Sequence, residues 1–196
     1  MIQTNQQKLI GILQLAYSGE LAPSYAYRGH WHSVRSEDER NAIRRIEDDE
    51  WRHRRLVGDM LASLGVGPSK AREIRARLIG RALGMLCHVA GWLAPMYGAG
   101  KLESRNIREY EIAARHARDS GHTEFIDCLL EMAEVEWDHE FYFRGRVLSR
   151  TLGRRLPLWP QPPSKQTIRL SFETETAANL IEDSIPTLSA RATTPV

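Results

Sequence analysis

Two tetrapeptides in this chain share the pattern Glu-Trp-x-His: Glu50-Trp51-Arg52-His53 and Glu136-Trp137-Asp138-His139. Each is preceded, roughly 30 residues upstream, by a further glutamate, Glu20 in the first case and Glu103 in the second. Two helical turns beyond each of these glutamates stands a tyrosine, Tyr27 and Tyr110. The arrangement reads as a duplicated helix pair, each pair supplying half of one site. Glutamates from two helices and Glu-x-x-His pairs from two others are a donor set with which a helical bundle holds two metal ions. Residues i and i+3 share a helix face, so each Glu-x-x-His addresses one ion. Four carboxylates match the charge of two divalent cations. Oxygen-rich ligation with one imidazole per metal suits iron, or manganese, better than zinc. The candidate ligands, and through the metals the candidate catalytic residues, are Glu20, Glu50, His53, Glu103, Glu136 and His139. Glu109 and Glu111 compete with Glu103, but they fall off the apolar stripe and lack the tyrosine two turns on.

Such a site needs four helices with one glutamate each on the inner face. Leu9, Leu13, Ala16, Glu20, Ser24 and Tyr27 recur at steps of three and four, predicting a first helix over 6–29, bent or weakened at Pro23. The polar stretch 29–36 reads as a turn, with His30 and His32 at the surface. Ser36-Glu37-Asp38-Glu39 has the form of a capping box and opens a second helix that runs to Leu64 and stops at Gly65. Its stripe is Ile43, Ile46, Glu50, His53, Val57, Met60 and Leu64, with Glu50 and His53 on consecutive core positions. Asp49 and the other charges of this helix lie off the stripe. Residues 66–99 form a crossover, basic from Lys70 to Arg81 and then apolar, read as one long helix bent or ended near Pro95, with His88 in a structural role. The third helix covers 100–120 with Ala99, Glu103, Asn106, Tyr110, Ala113 and Ala117 inside. The fourth covers 123–151 with Phe125, Leu129, Met132, Glu136, His139, Phe143 and Arg146 inside. Tyr27 and Tyr110 either pack in the core or hydrogen-bond to the ligand carboxylates, and Trp51 and Trp137 pack between helices. The remainder, 153–196, is rich in Pro, Ser and Thr and reads as a mobile or loosely attached tail, on which Leu158, Trp159 and Ile168 offer docking points.

Length and composition fit one helical domain, 1–152, followed by that tail. The balance of 27 Lys+Arg against 25 Asp+Glu does not favour nucleic acid as a partner. The 2 cysteines, Cys87 and Cys128, are far apart and read as reduced thiols of a cytoplasmic protein. The polar N-terminus predicts no signal peptide, and no apolar run is long enough to span a membrane. The basic end of the crossover leading into an apolar stretch leaves room for contact with the inner face of a membrane.

Ser18-Gly19-Glu20-Leu21-Ala22 followed by Tyr27, the two Glu-x-x-His tetrads and the Gly-rich crossover resemble the demethoxyubiquinone hydroxylase family, of the ferritin-like superfamily. The resemblance covers 9–148 and falls on Glu20, Glu50, His53, Glu103, Glu136 and His139. It implies an all-α, ferritin-like four-helix bundle with a long crossover helix between the helix pairs. It also implies a non-haem diiron oxidoreductase that uses dioxygen and an external electron donor to hydroxylate a small hydrophobic substrate, such as a quinone precursor, and it leaves a homodimer open. The chain departs from the family where a further apolar helix would follow the second tetrad, and in the tryptophans beside its ligands. No Rossmann fingerprint or cysteine cluster supplies a built-in reductant. The rival expectation is a ferritin- or rubrerythrin-like iron-binding protein that oxidises ferrous iron or removes peroxide.

Overall fold

The computed structural model describes residues 4–184 of the chain, and among these all regular structure is helical. Seven α-helices follow one another: α1 (Asn5–Gly19), α2 (Leu21–Ser33), α3 (Glu37–Ser63), α4 (Lys70–Leu86), α5 (Leu93–Asp119), α6 (Ile126–Leu148) and α7 (Lys165–Ser184). The α1–α2 run, α3, α6 and α5 form a closed ring, each contacting the next. The apolar core lies at the two ends of this ring. One cluster joins Leu9 and Leu13 of α1, Val57 and Leu61 of α3, Ala113 and Ala117 of α5, and Leu129 and Met132 of α6. The other joins Tyr27 of α2, Ile43 and Ile46 of α3, Met96 of α5, and Phe143 and Val147 of α6. The order in which each helix visits the two clusters makes all ring neighbours antiparallel. It also makes α3 and α5 parallel, so their connection must travel back along the ring, and α4 makes that return on the outer side of α2.

The helix expected over 6–29 is broken in two at Glu20. Pro23 has no N–H to give the Gly19 carbonyl, so the ladder is interrupted one turn before the proline. It resumes with the Ser24 N–H donating to the Glu20 carbonyl at 3.2 Å. The second piece does not turn at Gly29 but continues to Ser33. Gly29 faces Gly84 of α4 so closely that a Cβ on it would collide with that backbone, and this packing carries the helix through. His30, expected at the surface, is consequently buried, stacked against Tyr27 and Phe143.

α3 begins as expected, with Ser36 Oγ accepting the Glu39 N–H, and a left-handed Gly65 follows its end. The crossover is not one long helix. α4 ends at Leu86, a turn passes through Gly91 at φ 74°, and α5 starts at Leu93, earlier than the expected 100. Pro95 falls in the first turn of α5, where its missing N–H has no intrahelical partner to lose, so it starts the third core helix rather than ending the crossover.

The segment expected as a loosely attached tail is partly ordered against the ring. Trp159 is buried with its indole N–H on Glu140, and Ile168 and Phe172 of α7 enter the first core cluster. The Pro/Ser/Thr bias hid the apolar i, i+4 pair that gives α7 a face to bury. Residues 185–196 of that segment lie outside the described residues. No helix among the described residues is long and apolar enough to cross a membrane.

Candidate metal centre

Between the two apolar clusters lies a layer of acids and imidazoles, each contributed by an inner helix stripe. Glu20 sits at the α1–α2 break, Glu50 and His53 on α3, Glu103 on α5, and Glu136 and His139 on α6. All six are buried. Their donor atoms gather into two groups within 4.8 Å: Glu50, Glu103, Glu136 and His139 in one, and Glu20, His53 and Glu136 in the other. Glu136 is common to both. Glu109 and Glu111 are half-buried and belong to neither group.

His53 Nδ1 lies 3.0 Å from Glu136 Oε1. His139 Nδ1 lies 3.7 Å from both Glu50 Oε1 and Glu136 Oε2, and its Nε2 is 3.2 Å from Asp49 Oδ2. The tyrosines cross between the halves: Tyr27 donates its hydroxyl to Glu103, and Tyr110 donates to Glu20. Asn106 donates its amide to Glu103 at 3.1 Å and to Glu136 at 3.4 Å. These bonds hold Glu20, Glu103 and Glu136 and do not reach Glu50. Both oxygens of Glu50, Oε2 of Glu20, Oε1 of Glu136 and Nδ1 of His139 are buried without a hydrogen-bond partner.

Electrostatics shows the same deficit. Burial pushes the Glu50 and Glu103 carboxyls well above the carboxylate range, and neighbouring glutamates push them further. Burial also lifts Glu20. Burial opposes ionisation of Glu136 as well, but the adjacent His139 and His53 imidazoles outweigh it and hold that carboxyl well below the usual range. His139, disfavoured as a cation by burial, is nonetheless raised to about 9 by Asp49 and Glu136. Four buried carboxyls with two imidazoles and no buried Lys or Arg among them form a set that two divalent cations would balance. The orphaned oxygens and nitrogens are the atoms such ions would take, so the residues fit a pair of metals.

A cavity of about 600 Å³ opens beside this layer, bounded by α1, α2, α4 and α5. Its wall is mostly apolar, with Ile12, Leu83, Leu86, Pro95 and Leu102 among the lining, and its inner end is Glu20, Tyr27, Asn106 and Tyr110. The site therefore meets open space on its Glu20 side.

Comparison with protein-family models, curated proteins and solved structures gives no match. Sequence reasoning left two residues of this layer without a role. Asn106 stands three residues after Glu103, the spacing that places His53 after Glu50, and that spacing was its available signal. Asp49 lies off the inner stripe of α3, and nothing local marks it, because its partner His139 is on another helix. The tryptophans of the tetrads are anchors: Trp51 donates to the buried Glu47 at 3.3 Å and Trp137 to the Pro163 carbonyl at 2.8 Å.

Proposed function

We propose that the chain is a ferritin-like diiron oxidoreductase that inserts oxygen into, or oxidises, a small hydrophobic molecule such as a quinone precursor. The observation that carries this reading is the apolar cavity ending on the carboxylate–imidazole layer. An iron-storing or peroxide-removing protein has no use for a lipophilic chamber of that size at its metal site, whereas an organic ring needs one. The antiparallel ring with a return crossover after the second core helix supports the ferritin-like assignment.

Glu20, Glu50, His53, Glu103, Glu136 and His139 would hold the two ions, Glu136 being common to both donor groups. Bound iron would supply the redox chemistry with dioxygen, two electrons from an external donor and two protons, giving hydroxylated product and water. The chain's own residues do the rest. Tyr27, Tyr110 and Asn106 hold Glu103, Glu20 and Glu136, so that these three carboxylates keep their orientation while the metal charge changes. Ile12, Leu83 and Leu102 give the chamber an apolar wall that would hold an apolar ring against Glu20 and Tyr110. On the outer surface, Leu86 and Ile79 line the chamber and are themselves half exposed, while Ile74, Leu78, Met85 and Val89 of α4 and its following turn are more exposed still. Arg72, Arg75 and Arg77 are exposed on the same helix. In this reading that face rests on an anionic membrane surface, from which a lipophilic substrate enters.

The test is anaerobic ferrous loading of the full chain, desalting and iron analysis, then aerobic turnover of short-chain quinone precursors with a chemical reductant. The expected result is two irons per chain and a hydroxylated product. Ala26→Trp, which fills the chamber from α2, should keep the iron and lose the product. Iron loading far above two per chain without product would favour storage, and no iron would refute the reading.

A further inference from the structure

The duplication makes a prediction about its own symmetry. Tyr27 of the first half serves Glu103 of the second, and Tyr110 of the second serves Glu20 of the first. The imidazoles should follow the same exchange. His139, in the second half, is indeed backed from the first: Asp49, the residue before Glu50, takes its Nε2 at 3.2 Å and leaves Nδ1 turned toward Glu50 and Glu136. The residue that stands before Glu136, and so corresponds to Asp49, is Val135. A valine accepts nothing. Correspondingly, His53 Nε2 is buried and has no hydrogen-bond partner. The donor groups are unequal as well, with three carboxylates joining His139 and two joining His53.

We propose that the two metal positions differ in affinity, that the one built on His139 fills first, and that Asp49 is the positioning residue that sets this order. This rests on the two-metal reading above. A carboxylate behind a ligating histidine fixes the tautomer, holds the ring plane and makes the ligating nitrogen a better donor. Removing such a partner typically costs 10–100-fold in metal affinity. Here the chain carries both cases in one site. The His53 position lacks the carboxylate by sequence, so its ion is the exchangeable one, and the assembled pair forms only when metal is abundant.

The experiment is an anaerobic titration of the metal-free full chain with Mn(II), followed by equilibrium dialysis and by electron paramagnetic resonance, which separates isolated from coupled Mn(II) ions. Two steps are expected, about 10–100-fold apart in dissociation constant, with isolated Mn(II) dominating at one equivalent and coupling appearing only with the second. Asp49→Val, which gives position 49 the side chain found at 135, should weaken the first step by about that factor and bring the steps together. Asp49→Glu should restore the separation, and Val135→Asp should tighten the second step. Asp49 is 40 % exposed in its side chain and Val135 is half-buried, and the melting temperature of the metal-free variants checks that each substitution leaves the core intact. Two equal steps in the unmodified chain, or an Asp49→Val that weakens only the second step, would overturn the inference while sparing the two-metal site. Absence of any bound Mn(II) and Fe(II) would overturn both.

Discussion

Glu50 is fully buried, and neither of its carboxylate oxygens finds a donor. In the metal-free chain it is therefore a cost to folding, and that cost is what a bound cation would offset. Glu50→Gln should raise the thermal stability of the metal-free protein by about 1–3 kcal/mol, measured in chelator, while abolishing the stabilisation that added metal gives the unmodified chain. His139→Ala should likewise lose metal while helix content by circular dichroism survives. His30 poses a different case, since it lies outside the ligand layer. Burial lowers its pKa to about 4, partly opposed by Glu39. An unfolded histidine titrates near 6.5, so the unfolded chain takes up this proton first as the pH falls. Stability contributed by neutral His30 is thus intact above about pH 6.5 and is lost as the pH drops toward 4, by roughly 3 kcal/mol in all. His30→Phe, which keeps the stack on Tyr27 and Phe143, should flatten that part of the denaturation-versus-pH curve. An unchanged slope would mean that other groups carry the acid sensitivity. The six ligand candidates were legible because duplication repeated their spacing. His30 and Asp49 were not, because their environments are made by other helices, α6 in both cases.

Helix boundaries show the same division between local and tertiary causes. The Ser36 cap, the left-handed Gly65 and the left-handed Gly121 are local devices, and the ends of α3 and α5 were readable from them. The break at Glu20 was half readable: Pro23 announced it, but placing it one turn earlier required asking which carbonyl the proline leaves without a donor. Gly29 looked like a stop and is instead a contact. Gly80 would collide with the Ala22 backbone if it carried a Cβ, and a Cβ on Gly84 would stand 2.8 Å from the Tyr25 carbonyl. Small residues on both helices thus let α4 lie directly on α2, a fact no single helix states. Gly80→Val should drive α4 away from α2 and lower stability by about 1–3 kcal/mol in chemical denaturation. Because all six candidate ligands lie on α1–α3, α5 and α6, iron per chain should stay the same. The chamber, which borrows its outer wall from Ile79, Leu83 and Leu86 of α4, should open to solvent, so product yield should fall while metal remains.

On the scale of the whole molecule, the near balance of charge conceals an uneven distribution. Lys70, Arg72, Arg75, Arg77 and Arg81 lie exposed on one helix, and its acid, Glu73, is already held by Arg54. The exposed apolar residues crowd the same element, with Ile74 at 61 %, Leu78 at 64 %, Met85 at 75 % and Val89, just beyond its end, at 79 %. A helix with arginines beside an uncovered apolar crest has the two ingredients of interfacial binding, area to bury and attraction to anionic headgroups. The two act through different physics, so their contributions separate experimentally. The full chain should sediment with vesicles of phosphatidylcholine and phosphatidylglycerol, and much less with phosphatidylcholine alone. Raising the salt should weaken the first association without abolishing it, since the apolar part is not screened. Met85→Ser with Val89→Ser should reduce binding to both vesicle types. Replacing Arg72, Arg75 and Arg77 by Gln should remove only the preference for anionic lipid. Both sets change exposed positions and should leave iron content and melting temperature unchanged. Equal recovery of the chain in the supernatant with and without anionic vesicles would detach the α4 face from any lipid role, and the chamber would then have to take its substrate from solution.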